Sequence, residues 1–327
     1  YISRENQFKG VIMKKAVILL LFSTFLFADS VVGGKVFFNH TTDLAEGGIN
    51  AFNMKRAYLT YSDDVSEDVS YKMTYDMGEN DAGSAHTAFL KVAMMKWKTG
   101  LGNVTIGMQG MNMFKTMENT WGHRFIAKMP MDTYGYSASA DLGVGITRSF
   151  GSVSTSALIT NGGGYKKVES DSHKKISLHA VYGESKLNKK DGFNFGTSYS
   201  LEPSDVDSTS IENINVTGLF AGYAGKGFRC GFEFDNRWVF QENEFDENSN
   251  IISVYGTYQL NDKLSILARL DQVDTDISSD GGGVQAIIAG VHYSAAKGLT
   301  IAPTVRTTIP EGGDAENSIV LNFQFKF

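Results

Sequence analysis

The carboxyl-terminal segment Ser318-Ile319-Val320-Leu321-Asn322-Phe323-Gln324-Phe325-Lys326-Phe327 decides the fold. Ile319, Leu321, Phe323, Phe325 and Phe327 share one phase and Val320, Asn322, Gln324 and Lys326 the other, so an extended chain turns one face to oil and one to water. The competing reading is an edge strand of a soluble sheet. Such edges are normally blunted by charge or proline rather than finished on three spaced phenylalanines. The segment reads as the closing strand of a transmembrane antiparallel β-barrel.

The same alternation recurs upstream. Val69, Tyr71, Met73, Tyr75 and Met77 alternate with Ser70, Lys72, Thr74 and Asp76, and Ile176, Leu178, Ala180 and Tyr182 or Leu264, Ile266, Ala268 and Leu270 repeat the pattern. Segments bounded by Gly, Asn, Asp and Ser predict strands near 31–40, 50–61, 67–77, 86–97, 103–112, 136–149, 152–161, 174–183, 193–201, 212–224, 227–240, 250–260, 263–272, 284–294, 298–308 and 317–327. That is about sixteen, the even number a bacterial barrel requires. With both ends of the barrel periplasmic, the connections on that side are mostly tight and the external ones longer, as such barrels have them. The third external connection, Met113 to Gly135, is the longest. Structureless loops of that length are uncommon unless functional, and this one mixes hydrophobic anchors with fixed charge, so it is expected to fold into the lumen.

Met13-Lys14-Lys15, the apolar run from Ala16 to Phe27 and the small residue Ala28 form the three regions of a secretory signal peptide. The run is too short for a spanning helix, so cleavage after Ala28 is expected, residues 1–12 are set aside as an upstream non-structural segment, and residues 29–327 form one barrel. A formal net charge of −6, made more negative by loss of the basic leader, excludes a general nucleic-acid binder. With 35 Gly, 22 Phe and 14 Tyr but 4 Pro, an all-β body is the class left. The single cysteine, Cys230, lies between Phe228 and Phe232 and reads as a small outward-facing residue.

Intramembrane charge is costly against lipid, so the polar phase of each strand is expected to face a water-filled lumen. This directs Arg56, Lys72, Lys91, Arg229, Arg237, Arg269 and Arg306 inward as a pore wall, together with Asp76, Asp141, Glu233, Asp235 and Asp271. In the third loop, Trp121, Phe125 and Ile126 are expected to anchor on the wall. Lys115, Glu118, His123, Arg124, Lys128 and Asp132 would then form the constriction, where a basic balance favours anions. The external loops carry acids, including Glu202, Asp205, Glu244, Asp246, Glu247 and Glu311, which suit a solvated rim or divalent bridges to lipopolysaccharide in the surrounding outer-membrane lipid.

The six histidines show no metal-ligand pairing, the glycine runs at 162–164 and 281–283 lack the Lys-Ser/Thr of a phosphate cradle, and no spacing assigns a catalytic triad. No cofactor or catalytic residue is expected. The leading function is a passive porin for small hydrophilic solutes. Two readings stay open beside it: a structural or adhesive barrel that binds cations or partners through acidic loops, and a membrane-embedded enzyme.

FNMKRAYLTYSDDVSEDVSYKMTYD from Phe52 to Asp76 resembles the opening hairpin of phosphate-selective porins of the O and P type. The likeness continues through LKVAMMKWKTGLGNVTIGMQG from Leu90 to Gly110, then Glu118 to Phe125 and Ile159-Thr160-Asn161-Gly162. It implies a sixteen-stranded homotrimeric outer-membrane channel whose third loop enters the pore and in which lysines and an arginine column select phosphate. Lys115, Arg124, Lys128, Arg56 and Arg229 are the counterparts in role, whereas Asp76, Glu233 and Asp235 depart from that pattern.

Overall fold

In a computed structural model of the chain, described for residues 30–78, 86–169, 171–205, 210–241, 247–277 and 282–327, sixteen strands close into one antiparallel barrel. They are β1 (Val31–Asp43), β2 (Asn50–Asp64), β3 (Val69–Gly78), β4 (Thr87–Thr99), β5 (Gly102–Gly110), β6 (Ala140–Phe150), β7 (Val153–Thr160), β8 (Lys175–Gly183), β9 (Gly192–Asp205), β10 (Ile211–Gly225), β11 (Phe228–Gln241), β12 (Glu247–Gln259), β13 (Leu264–Asp274), β14 (Gly283–Ala296), β15 (Leu299–Pro310) and β16 (Glu316–Lys326). Each pairs with its chain neighbours, and β1 pairs with β16 from Lys35–Lys326 to Asp43–Ser318. All sixteen expected strands are present. The leader and upstream segment lie outside the described residues.

Closure comes from the carboxyl-terminal segment. Phe38 stacks on Phe323 with centroids 4.4 Å apart and on Phe325 at 5.5 Å, on the lipid side of the seam. The amide of Gly34 donates to the carbonyl of Phe327 at 2.9 Å. A Cβ at Gly34 would fall 2.2 Å from the Phe327 ring, so a side chain there would displace the terminal aromatic. Because every strand has two partners, no backbone edge is left for lipid to meet unsatisfied.

The alternation sorts as expected. Phe193, Phe195, Leu219, Val254 and Leu270 are exposed on the outside, and Asn322, Ser253 and Ser200 are buried on the inside. One side of the interior departs from polarity. Val216, Phe220, Ile251, Tyr255, Leu267 and Val273 lie on the inner phase of β10–β13 and are buried. They form a core with the connection between β5 and β6, which carries α1 (Lys115–Trp121) and α2 (Pro130–Thr133).

Strand β6 starts at Ala140 rather than near 136, because the preceding residues serve that connection. The Tyr136 hydroxyl donates to Ser249 Oγ at 2.8 Å and the Met111 amide to the Ser139 carbonyl at 3.3 Å. Among the described residues the register shifts at Phe37/Phe38, Thr74/Tyr75 and Ser294/Ala296.

Candidate functional site: the interior passage

Met113, Met117, Trp121, Met129 and Met131 hold the third loop against the inner wall, each at most 1% exposed. Fully burying one such side chain contributes about 1.5–3 kcal/mol, so five fix a segment with little regular structure. Polar contacts set its height. Tyr255 donates to the Met117 carbonyl at 3.4 Å, Arg269 to the Lys128 carbonyl at 2.7 Å and Arg306 to the Ile126 carbonyl at 2.5 Å. Gly122 ends α1 in the left-handed region at φ 73°, where a Cβ would lie 2.7 Å from Arg229 Nη2. Glycine takes that conformation without strain and lets the helix end directly on the guanidinium.

Along the loop the charges alternate in one chain of ion pairs. Lys115 pairs with Glu118, Glu118 with Arg124 Nε at 3.3 Å, Arg124 with Asp132 at 3.3 Å, and Asp132 with Lys128 at 3.5 Å. Burial works to raise the Glu118 carboxyl, but the Lys115 and Arg124 charges outweigh it and hold the group below its ordinary value. Burial lowers the Lys128 ammonium, against the pull of Asp132.

Between this loop and the wall formed by β1, β2, β14 and β15 lies a cavity of about 570 Å³. Lys55 and Arg56 border it from β2, Lys166 from the loop after β7, Arg124 and Lys128 from the third loop, and Arg269 and Arg306 from β13 and β15. Asp271, bound to Arg269 Nε at 2.8 Å, is the one acid among the described lining residues. The other acids stand behind their cations. Asp76 is completely buried, 3.2 Å from Arg56 and 3.5 Å from Lys91, and accepts a hydrogen bond from the Tyr165 hydroxyl at 3.0 Å.

Several expected pore residues lie elsewhere. His123 turns away from the passage into the packing beneath the loop, 3.0 Å from Thr257 Oγ1 and 3.2 Å from Arg229 Nη2. Burial, with Arg229 and the His292 ring beside it, holds the His123 imidazole well below its ordinary range. Arg229 also donates to the Trp121 carbonyl at 3.1 Å, so it supports the loop rather than lining the wall. Glu233 and Asp235 point inward as expected, but the loop covers them and both are completely buried. No described residue hydrogen-bonds any of their four carboxylate oxygens. Asp141 is spent on the amides of Leu142 and Gly162. Arg237 pairs with Glu247 at 3.7 Å near the external rim, and Lys72 stays exposed on the inner face of β3. Glu244 and Asp246 lie outside the described residues.

Lys55 and Lys166 were missed by the strand phase. Strict alternation about Arg56 sends Lys55 outward, but Met54 pairs with Phe38 and Arg56 with Phe37, so Lys55 is the extra residue of a bulge and joins the lining. A lysine in the lipid phase between Met54 and Arg56 was itself the signal of that bulge. Lys91 is likewise the extra residue where Thr74 pairs with Val92 and Tyr75 with Leu90. Lys166 lies over the Phe89 ring at 4.6 Å and enters with Tyr165, which alternation cannot foresee because both sit in a loop.

A family model described as phosphate-selective porin O and P matches residues 37–262, more than half of the chain. No curated protein matches by sequence. Among solved structures, an anion-selective porin from Comamonas acidovorans superposes with a TM-score of 0.71 at 10% identity, over 92% of this chain and 100% of that one. Salmonella typhi OmpF in complex with daunomycin gives 0.70 at 13% identity over 92% and 98%. The trimer form of Vibrio cholerae OmpT gives 0.63 at 12% over 92% and 99%. At such identities these likenesses establish the fold alone.

Proposed function

This chain belongs to the phosphate-selective porin O and P family and is a diffusion channel of the bacterial outer membrane, and on that premise we propose that it passes small hydrophilic solutes with a preference for anions, phosphate among them. The observation that carries this reading is the lining of the cavity beside the third loop: seven basic side chains against Asp271, with the acids that pair with those bases set behind them. A field of that sign in a confined cleft raises the local concentration of anions and repels cations. The seven bases share one lining, so an anion there is attracted by several of them together and none holds it alone.

The zero-current potential of the purified protein in a planar bilayer under a KCl gradient tests this. The expected sign is that of chloride permeation exceeding potassium permeation; the potassium sign overturns the proposal.

The protein is a homotrimer in outer-membrane lipid and lipopolysaccharide, supported by the sequence resemblance and by the recorded trimer of the OmpT relative. Its mature chain starts after Ala28. A monomeric mass in mild detergent would remove the trimer without touching the barrel. An acidic rim that captures cations as the protein's main role is disfavoured by the rim itself: Glu202 is 2.6 Å from Lys175 and Asp205 is 2.9 Å from His173.

A further inference from the structure

We propose that the cavity is a binding site for organic anions that join a phosphate or carboxylate group to an apolar body. This rests on the anion-preferring reading and adds a second recognition element to it. About 570 Å³ is within the range that holds ligands of many atoms, roughly 300–1,000 Å³, and far exceeds the need of a bare inorganic ion. The lining is also divided chemically. Beside the bases stand Phe37, Phe125, Ile126 and Ile288, hydrocarbon that contributes nothing to the passage of phosphate or chloride.

That hydrocarbon belongs to the packed core. Phe37 lies with its ring centroid 6.3 Å from Phe125 and 5.7 Å from Tyr58, so the apolar patch is a fixed surface. The guanidinium groups opposite are fixed as well. Arg306 is tied to the Ile126 carbonyl and to Asn322 Oδ1 at 3.2 Å, and Arg269 to the Lys128 carbonyl and Asp271. One backbone segment, Ile126 to Lys128, therefore positions both halves. Its carbonyls orient the arginines while its Ile126 side chain shares the lining with Phe125. A site whose charged and apolar walls are both held before the ligand arrives loses little to ordering, so an amphiphilic anion gains from both walls together.

Three probes of related charge separate the two walls. Inorganic phosphate, glycerol 3-phosphate and phenyl phosphate are added to single channels of the full-length protein, and the half-blocking concentration of each is read. Phenyl phosphate is expected to block at a concentration at least tenfold below the other two. That ratio equals about 1.4 kcal/mol, the worth of roughly 50–60 Å² of buried apolar surface, or about one ring face. In Phe125→Ser, and separately in Ile288→Thr on the rigid wall, the advantage is expected to fall at least threefold. Equal half-blocking concentrations for the three probes in the unmodified channel overturn the inference, whatever the variants do. The zero-current potential of the same channels distinguishes the two levels: the chloride sign with equal blocking removes the apolar element alone, and the potassium sign removes the anion reading with it.

Discussion

Glu233 and Asp235 stand side by side on the inner face of β11, fully buried, with no described hydrogen-bond donor to either. An unsatisfied buried polar group costs about 1–3 kcal/mol, and two carboxyl groups can share a hydrogen bond only when one of them keeps its proton. Glu233→Gln supplies an amide that can donate toward Asp235. The expected result is a more stable barrel, by about 1 kcal/mol, seen as a higher temperature of conversion from the folded to the unfolded gel band. A lower conversion temperature would mean that the Glu233 carboxylate itself stabilises the fold. Arg306 makes the opposite case. Its Nη2 serves both a loop carbonyl and Asn322, so Arg306→Ala removes a lining charge and a tether together. Weaker anion preference and greater open-channel current noise are expected, and an unchanged current record would show that the tether is dispensable. The inward direction of Glu233, Asp235 and Arg306 was legible from strand phase; what stood above them was not, because alternation assigns a face and says nothing of what covers it.

The third loop is where the elements meet, and its stability has a pH dependence with a definite sign. His123 is buried under it with its proton affinity depressed, so the docked loop keeps the ring neutral while an undocked ring would titrate near 6.5. A group whose folded value is lowered contributes its full stability above the free value and loses it as the pH falls below. Channel closures are therefore expected to become more frequent as the pH drops from 7 toward 5. In His123→Asn, which keeps a polar group near Thr257 without a titratable ring, that slope is expected to flatten. An equally steep pH response in the variant would place the sensitive group elsewhere.

The loop's length and mixed composition marked it in the sequence. So did a subtler sign: the inner phase of β10–β13 carries Val216, Phe220, Ile251, Tyr255 and Leu267, apolar residues that have no use against water. Read together they outline the loop's footing. The bulge that aims Lys55 changes phase without changing composition, and its one mark in the sequence is a lysine where strict alternation calls for a lipid-facing residue.

For the whole molecule, the closed ladder from β1 through β16 leaves no free edge from which to unzip, so the protein is expected to migrate faster unboiled than boiled in detergent gels. Identical migration would contradict a closed barrel. The two ends of the pore differ in what salt can do to them. Charges on the external rim are screened over about 8–10 Å at ordinary ionic strength, whereas those beside the third loop line a cavity between the loop and the wall. Selectivity should follow the constriction and not the rim. The decisive measurement is the zero-current potential in a KCl gradient for Lys55→Glu/Lys128→Glu, compared with a rim variant, Glu247→Gln/Glu311→Gln. The double cavity variant is expected to shift strongly toward potassium while the rim variant keeps the unmodified potential and changes conductance only at low salt. A cavity variant that retains the unmodified potential would contradict the account, since ions would then be crossing the barrel by a path these residues do not line.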